Sequence, residues 1–301
     1  MLSSETLCLN WLESIKENIK SSTYDKYERI VDKYLISFFN KNHLDTLNES
    51  ILKKYILDLM NQGLSSSMLK GIKNVIKAIY NYYENQYGLN HIDFSLVKIE
   101  DDQKELKILN SKQIKQLHHY CLKDNNSNHL SILLAIDTGM MIGEICALKR
   151  KDIDLNIGII NINKRAQRVK NRNQGSKTVY ELVDVRWPVK REVILPNYLI
   201  HYLENYLRKI NDNDYIISGN QQLPDMKTLQ RRLNKVENDL GFEMTYKDLR
   251  NTFKERCIQS GMNIYSVMEI MGISNMKFTL SQDNYSSHDI KKHEINKLVK
   301  L

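Results

Sequence analysis

The apolar residues of this chain change their spacing part-way along it, and that change limits the folds open to it. In the first part they recur every three or four residues, the period that lines one face of a helix. Tyr27, Ile30, Val31, Tyr34 and Leu35 form one stripe behind Ser21-Ser22-Thr23. Ile51, Leu52, Tyr55, Ile56 and Leu59 form a second behind Asn48-Glu49-Ser50, with Gly63 as its stop. A third starts near Ser65 and carries Leu69, Ile72, Val75, Ile76, Ile79, Tyr80 and Tyr83 until Gly88 breaks it. At this spacing the tyrosines read as core and interface residues before they read as a stacking platform for bases.

From Phe94 to Lys107 the period is lost in a charged stretch, E-D-D-Q-K-E-L-K, which reads as a linker. Asn110-Ser111 then caps a helix opening K-Q-I-K-Q-L, and Ile132 to Ile136 begins a buried helix interrupted at Thr138-Gly139. Residues 153–162 alternate, I-D-L-N-I-G-I-I-N-I, and predict strands around a turn at Asn156 to Gly158. Residues 178–185 and 191–195 predict two more, with Pro188 in the turn between them. Helices return at Tyr198–Ile210, Met226–Leu240, Tyr246–Ser260 and Ile264–Met271. The expected fold is therefore mainly α with a small β-sheet. A helical domain covers 1–100, a linker 101–107, and an α+β domain 108–301.

The charge is divided along the same line. Residues 1–103 carry 12 basic and 14 acidic side chains, whereas residues 104–301 carry 32 and 22. Within the second part, residues 164–191 hold nine cations (Lys164, Arg165, Arg168, Lys170, Arg172, Lys177, Arg186, Lys190, Arg191) against Glu181 and Asp184. Such a run is either a solvated loop or a contact for an anionic partner. The four cysteines lie far apart with no CxxC pair, which argues against a zinc site and against a secreted disulfide framework. No metal or other cofactor is expected. M-L-S-S-E-T-L lacks the features of a signal peptide, and no apolar run is long enough to cross a bilayer. The expectation is a cytoplasmic protein with no membrane partner.

Four stretches, taken in order, resemble the tyrosine recombinases of the phage integrase family. S-S-T-Y-D-K-Y, L-N-E-S-I-L-K-K-Y-I and G-L-S-S-S-M-L-K-G-I-K-N-V-I-K-A-I-Y are similar to the family's helical, SAM-like core-binding domain. K-I-L-N-S-K-Q-I-K-Q-L resembles the opening of its catalytic domain. D-T-G-M-M-I-G-E-I-C-A-L is close to the motif T-G-x-R-x-x-E-x-x-x-L. Y-K-D-L-R-N-T-F, then M-G-I and N-Y-S-S-H, resemble the HxxR, LGH and tyrosine motifs. The resemblance runs from residue 5 to residue 290. It implies metal-free phosphoryl transfer: a tyrosine attacks a DNA phosphate and forms a 3′-phosphotyrosine. Two arginines hold the non-bridging oxygens, a hairpin lysine protonates the departing 5′ oxygen, and two histidine positions assist. Fixed cations are needed there because charge builds on the phosphate in the transition state.

Against that pattern the site is incomplete. Met141 stands where the first arginine belongs, a loss worth about 3–4 kcal/mol on the scale of a missing oxyanion donor. The hairpin lysine falls nearest Arg186, which binds phosphate but is a poor proton donor. Lys190 would replace it only with a shifted hairpin register. Lys247 replaces the histidine of HxxR, Arg250 is retained, and Ile273 removes the histidine of LGH. Tyr285 matches the nucleophile, twelve residues beyond Ile273 where the family usually has nine.

The resemblance implies double-stranded DNA as partner, clamped between two domains. Arg165, Arg168, Lys170, Arg172, Lys190 and Arg191 are the expected backbone contacts, and the exposed face of Lys227 to Arg232 is either a groove reader or a solvated helix. The tail D-I-K-K-H-E-I-N-K-L-V-K-L, with Ile290, Ile295, Leu298 and Val299 on one side, either docks on a neighbouring protomer or packs on its own. Three functional readings stay open. The first is a partly active strand transferase of a mobile element or plasmid, either a recombinase-integrase or a relaxase-like nickase. The second is a silent DNA-binding protein of element maintenance or regulation. The third, weaker reading is an RNA binder.

Overall fold

The computed structural model describes residues 3–102, 106–123, 127–172, 177–186, 190–273 and 288–298. The chain divides into two compact units, Met1–Lys104 with Val169–Val179, and Glu105–Arg168 with Tyr180–Leu301.

The first unit is a bundle of five helices, α1 (Ser4–Ile15), α2 (Ser21–Ile30), α3 (Ile36–Lys41), α4 (Glu49–Asn61) and α5 (Ser66–Tyr87). A π turn at Val31–Leu35 joins α2 to α3 and turns Val31 and Leu35 inward. The stripe read from α5 is the core face, with Leu69, Ile72, Val75, Ile76, Ile79, Tyr80 and Tyr83 all buried. Asn48 caps α4 by accepting from the Ile51 N–H at 3.0 Å, as its position in the sequence suggested. Ser21, Ser22 and Thr23 instead lie within the first turn of α2, and Lys20 is the cap residue. The tyrosines do serve the core: the Tyr83 hydroxyl donates to the Leu7 carbonyl at 3.0 Å inside the bundle.

The second unit begins with α6 (Ser111–Lys123), α7 (Ser127–Thr138) and α8 (Ile142–Ala147). Five strands follow, β1 (Ile153–Asp154), β2 (Ile159–Ile162), β3 (Lys164–Lys170), β4 (Thr178–Asp184) and β5 (Arg191–Ile194). The chain returns to helix in α9 (Asn197–Leu207), α10 (Met226–Leu240), α11 (Tyr246–Gln259), α12 (Ile264–Met271) and α13 (His288–Leu298). Helix α7 is the hub of the core because it is apolar around its whole circumference, with Leu130 and Ile132 to Ile136 fully buried. The sheet order is β1-β2-β5, all antiparallel, with Ile160 opposite Val193 and Ile162 opposite Arg191.

Two details differ from the sequence reading. Strand β4 does not pair with β5; it pairs with β3, which the charged run K-R-A-Q-R-V-K concealed. The proposed turn residue Pro188 lies outside the described residues. The hairpin β3–β4 is thus an arm inserted between β2 and β5, and its distal residues 169–179 group with the first unit.

A buried polar cluster ties the helices of the second unit together. The Asp137 carboxylate is fully enclosed, with His118 Nε2 at 2.6 Å, an Arg256 Nη1 donor at 2.9 Å and the Tyr198 hydroxyl also donating to it. Burial alone would raise this carboxyl, but the His118, Arg256 and Tyr198 contacts more than offset it and hold it below the usual aspartate range. Tyr198 in turn is pushed well up by burial and by Asp137. Arg256 also donates to the Leu298 carbonyl at 3.0 Å, and Asn296 accepts from the Asn197 N–H at 2.9 Å. With Ile295 buried beside Phe253 and Val267, α13 packs on its own unit. Val299 and the Ile290 side chain lie outside the described residues.

Gly143 in α8 has a definite packing role: a Cβ there would lie 2.5 Å from the Ala166 carbonyl oxygen of β3. Backbone cannot yield that distance cheaply. Gly143→Ala should therefore destabilise the protein by about 1–3 kcal/mol. Gly71→Ala in α5 is the control, since its Cβ would meet only Lys26 and Ile30 at 3.5–3.6 Å, and it should be neutral or stabilising by about 0.5–1 kcal/mol. Equal melting shifts for the two variants would contradict this account.

Candidate functional site

The site is built where three chain segments converge: the start of α8, the first residue of β5 and the end of α12. Glu144 reaches back over the first turn of α8 and accepts from the Met141 N–H at 2.9 Å. Its carboxylate has no solvent exposure, so it requires a cation. Arg191 supplies it, donating from Nη1 to Oε1 at 2.8 Å and from Nη2 to Oε2 at 3.0 Å. The Arg191 Nε donates to the Ile270 carbonyl at 2.5 Å. This is a two-pronged carboxylate–guanidinium pair with the third edge of the guanidinium also engaged.

Arg250, on α11, donates from Nη1 to the Gly139 carbonyl and from Nη2 to the Met271 carbonyl, the latter at 2.6 Å. Helix α12 therefore ends with its last two carbonyls, Ile270 and Met271, held by two different arginines, the favourable charge for a helix C-terminus. Gly139 (φ +65°) carries the turn that presents its carbonyl, and a Cβ there would lie 2.6 Å from the Phe253 ring. Burial pulls Arg250 down to about 10; Glu144 opposes that shift and the nearby Arg191 adds to it. Arg250 remains a cation at neutral pH. Its two backbone bonds use one hydrogen on each terminal nitrogen, which leaves the other hydrogens and Nε–H without a partner among the described residues.

Lys247 stands one turn before Arg250 on α11 and is exposed. Thr245 and Asp248 fix that first turn by a reciprocal cap, the Asp248 N–H donating to Thr245 at 3.2 Å and the Thr245 N–H to Asp248 at 2.9 Å. Met141 is half-buried and brings no donor side chain. Arg186 and Lys190 are both exposed and are joined through the backbone, the Lys190 N–H donating to the Arg186 carbonyl at 3.0 Å. Tyr285 lies outside the described residues. Among the described residues no group of His, Cys, Asp or Glu is arranged to hold a metal, and no helix is long and apolar enough to cross a membrane.

The six expected backbone contacts fall into three groups. Arg165 and Arg168, on β3, are half-exposed and exposed, and Lys190 is exposed at the foot of β5. Arg191 is a correction: its side chain is only 6% exposed and is engaged by Glu144, so it supports the site from behind and is not presented to a phosphate. Lys170 and Arg172 are about half exposed but ion-paired within the first unit, to Glu28 and to Asp25 and Glu28 respectively. Sequence reasoning missed Glu144 as the anion of the site and missed Asp25 and Glu28 altogether. For Arg191 a signal existed: two residues along the same strand, Val193 points into the core, so Arg191 shares the buried face.

Comparison with known proteins agrees with this architecture. The model of the phage integrase family matches residues 107–289, and that of its N-terminal SAM-like domain matches residues 5–60. The chain belongs to the phage integrase family. Among curated relatives, the tyrosine recombinase XerA of Pyrococcus furiosus is 23% identical over 83% of this chain and 80% of its own length. The transposase from transposon Tn916 of Enterococcus faecalis is 24% identical over 95% of this chain and 76% of its own. Among solved structures, the Tn1549 transposon integrase in complex with transposon right end DNA superposes with a TM-score of 0.70 at 20% identity, covering 97% of this chain and 99% of that one. The helical N-terminal domain and the mainly helical fold with small antiparallel sheets are those of tyrosine recombinase integrases.

If Glu144 is the anion that allows Arg191 to be buried, Glu144→Gln leaves an enclosed cation without compensation. The expected loss is about 3–5 kcal/mol, a fall in melting temperature on the order of 10 °C. Adding Arg191→Met should recover most of it, and a double variant no more stable than Glu144→Gln would refute the pairing.

Proposed function

We propose that this integrase-family chain binds duplex DNA of a mobile element and cleaves it slowly, through a 3′-phosphotyrosine at Tyr285. The observation that carries the reading is Arg250: a cation held by two backbone carbonyls, with donors left over, next to an exposed Lys247 on the same helix. That is a fixed charge waiting for an anion, and fixed charge is what phosphoryl transfer requires. The DNA in the Tn1549 integrase complex supports duplex DNA as the anion.

In the proposed step the Tyr285 oxygen forms a bond to phosphorus, the phosphorus–5′-oxygen bond breaks, and the tyrosyl proton passes to solvent. Arg250 and Lys247 hold the non-bridging oxygens. The departing 5′ oxygen takes a proton from a lysine of the site or from water, because Arg186 stays protonated and contributes charge alone. With Met141 in the first arginine position, one fixed donor is missing and the rate is lower by about 10²–10³. Arg165, Arg168, Arg186 and Lys190 contribute phosphate contacts that set affinity and position. A second reading, a sequence-preferring DNA-binding protein without cleavage, is favoured by Met141 together with the absent histidine at Ile273.

A suicide substrate that traps the covalent adduct separates the two. Cleavage predicts a slow protein–DNA adduct that Tyr285→Phe abolishes while duplex binding is kept, and that Met141→Arg accelerates by about 10²–10³. Salt-sensitive binding with no adduct in either the native chain or the Met141→Arg variant would leave the silent binder as the function.

A further inference from the structure

The best-formed charge cluster outside the Arg250 site lies in the first unit, where the end of β3 and Arg172 meet helix α2. Asp25 and Glu28 are three residues apart on α2 and face the same way. Lys170 closes β3, and Arg172 lies two residues beyond it. The Lys170 backbone N–H donates to Asp25 Oδ2 at 2.6 Å and its Nζ to Glu28 Oε2 at 2.8 Å. Arg172 donates from Nη2 to Asp25 Oδ1 at 2.8 Å and from Nη1 to Glu28 Oε1 at 3.2 Å, with its guanidinium carbon 5.1 Å from the centre of the Tyr24 ring. All four carboxylate oxygens are used.

The two sides of this cluster differ in exposure. The carboxylates are 17% and 19% exposed, and the cations 49% and 51%. A ligand arriving from solvent therefore meets the cations first. Two carboxylates offer Arg172 and Lys170 the same kind of acceptor oxygens that a pair of backbone phosphates would.

We propose that Asp25 and Glu28 are an internal decoy for DNA phosphate, masking Lys170 and Arg172 from a duplex for as long as the two carboxylates hold them. The proposal rests on the DNA-binding reading given above and adds a regulatory contact to it. The masked cations do not count among the phosphate contacts of the resting protein; once the carboxylates are removed, they do. Each additional phosphate neutralised steepens the dependence of log affinity on log salt by about 0.9, so two unmasked cations steepen it by about 1.8.

The test measures binding of the full chain to a fluorescent mixed-sequence duplex of about 30 base pairs, from about 50 to 200 mM salt. The Asp25→Asn, Glu28→Gln variant should bind tighter at low salt and lose about tenfold more affinity across that range than the native chain. Adding Lys170→Gln and Arg172→Gln should cancel the gain, and those two substitutions alone should change native binding little. The single Glu28→Gln variant should lie half-way, and it serves if the double variant does not fold. A native chain that binds with the same slope and affinity as the carboxylate-free variant overturns the decoy and leaves the DNA reading intact. Loss of native binding on Lys170→Gln with Arg172→Gln does the same, because it makes those cations primary contacts. No binding by either the native chain or the variant at low salt overturns both.

Discussion

Burial of the Glu144 carboxylate is the constraint around which the second unit is organised. An enclosed carboxylate must be neutralised, and the residue that does so, Arg191, opens β5. The same Arg191 takes the Ile270 carbonyl at the end of α12, and Arg250 takes the next one, Met271. One anion thus ties α8 to β5 and, through Arg191, to α12, while Arg250 joins α11 to the same helix end; Gly143, one residue before Glu144, admits the β3 backbone against α8. Hydrophobic packing around α7 supplies the bulk of the stabilisation, but this pairing determines which cation is sealed in and which is left with donors for a ligand.

That division bears on what the site can do. Met141 takes away one of the two phosphate-holding charges of the family pattern, and nothing in the Glu144–Arg191 pair replaces it, because Arg191 is turned inward. The remaining cations are the half-buried Arg250 and the exposed Lys247 on α11, Arg165 and Arg168 on β3, and Arg186 and Lys190 between β4 and β5. Lys170 and Arg172 add a separate layer, since these two cations already have anions of the chain's own.

Much of the fold could be read from the sequence, because its elements are local. The α5 stripe, the Asn48 cap and the paired strands around Gly158 all depend on residues within a few positions of one another. Strand β3 escaped because the only apolar residues of K-R-A-Q-R-V-K, Ala166 and Val169, lie three apart and show no two-residue period among the charges. The site was legible at Arg250 and Lys247, carried by a compact motif, and at Met141, carried by its flanking glycines. It was not legible where partners are distant. Asp137 meets residues 19, 61 and 119 positions away, and Arg172 meets residues 144 and 147 positions away, separations for which no local pattern exists. Arg191 was misread for a related reason: a cation in a basic run looks solvated until the pleat of its strand is taken into account.

The central claim is that Arg250 is the cation presented to a phosphate while Arg191 serves the fold. Nitrogen-15 NMR of the arginine side chains, recorded as duplex DNA is added, observes both guanidinium groups directly. The account predicts that the Arg250 Nε–H signal shifts as DNA binds and that the Arg191 signal, held by Glu144 and Ile270, stays where it is. A shift at Arg191 with none at Arg250 would contradict it.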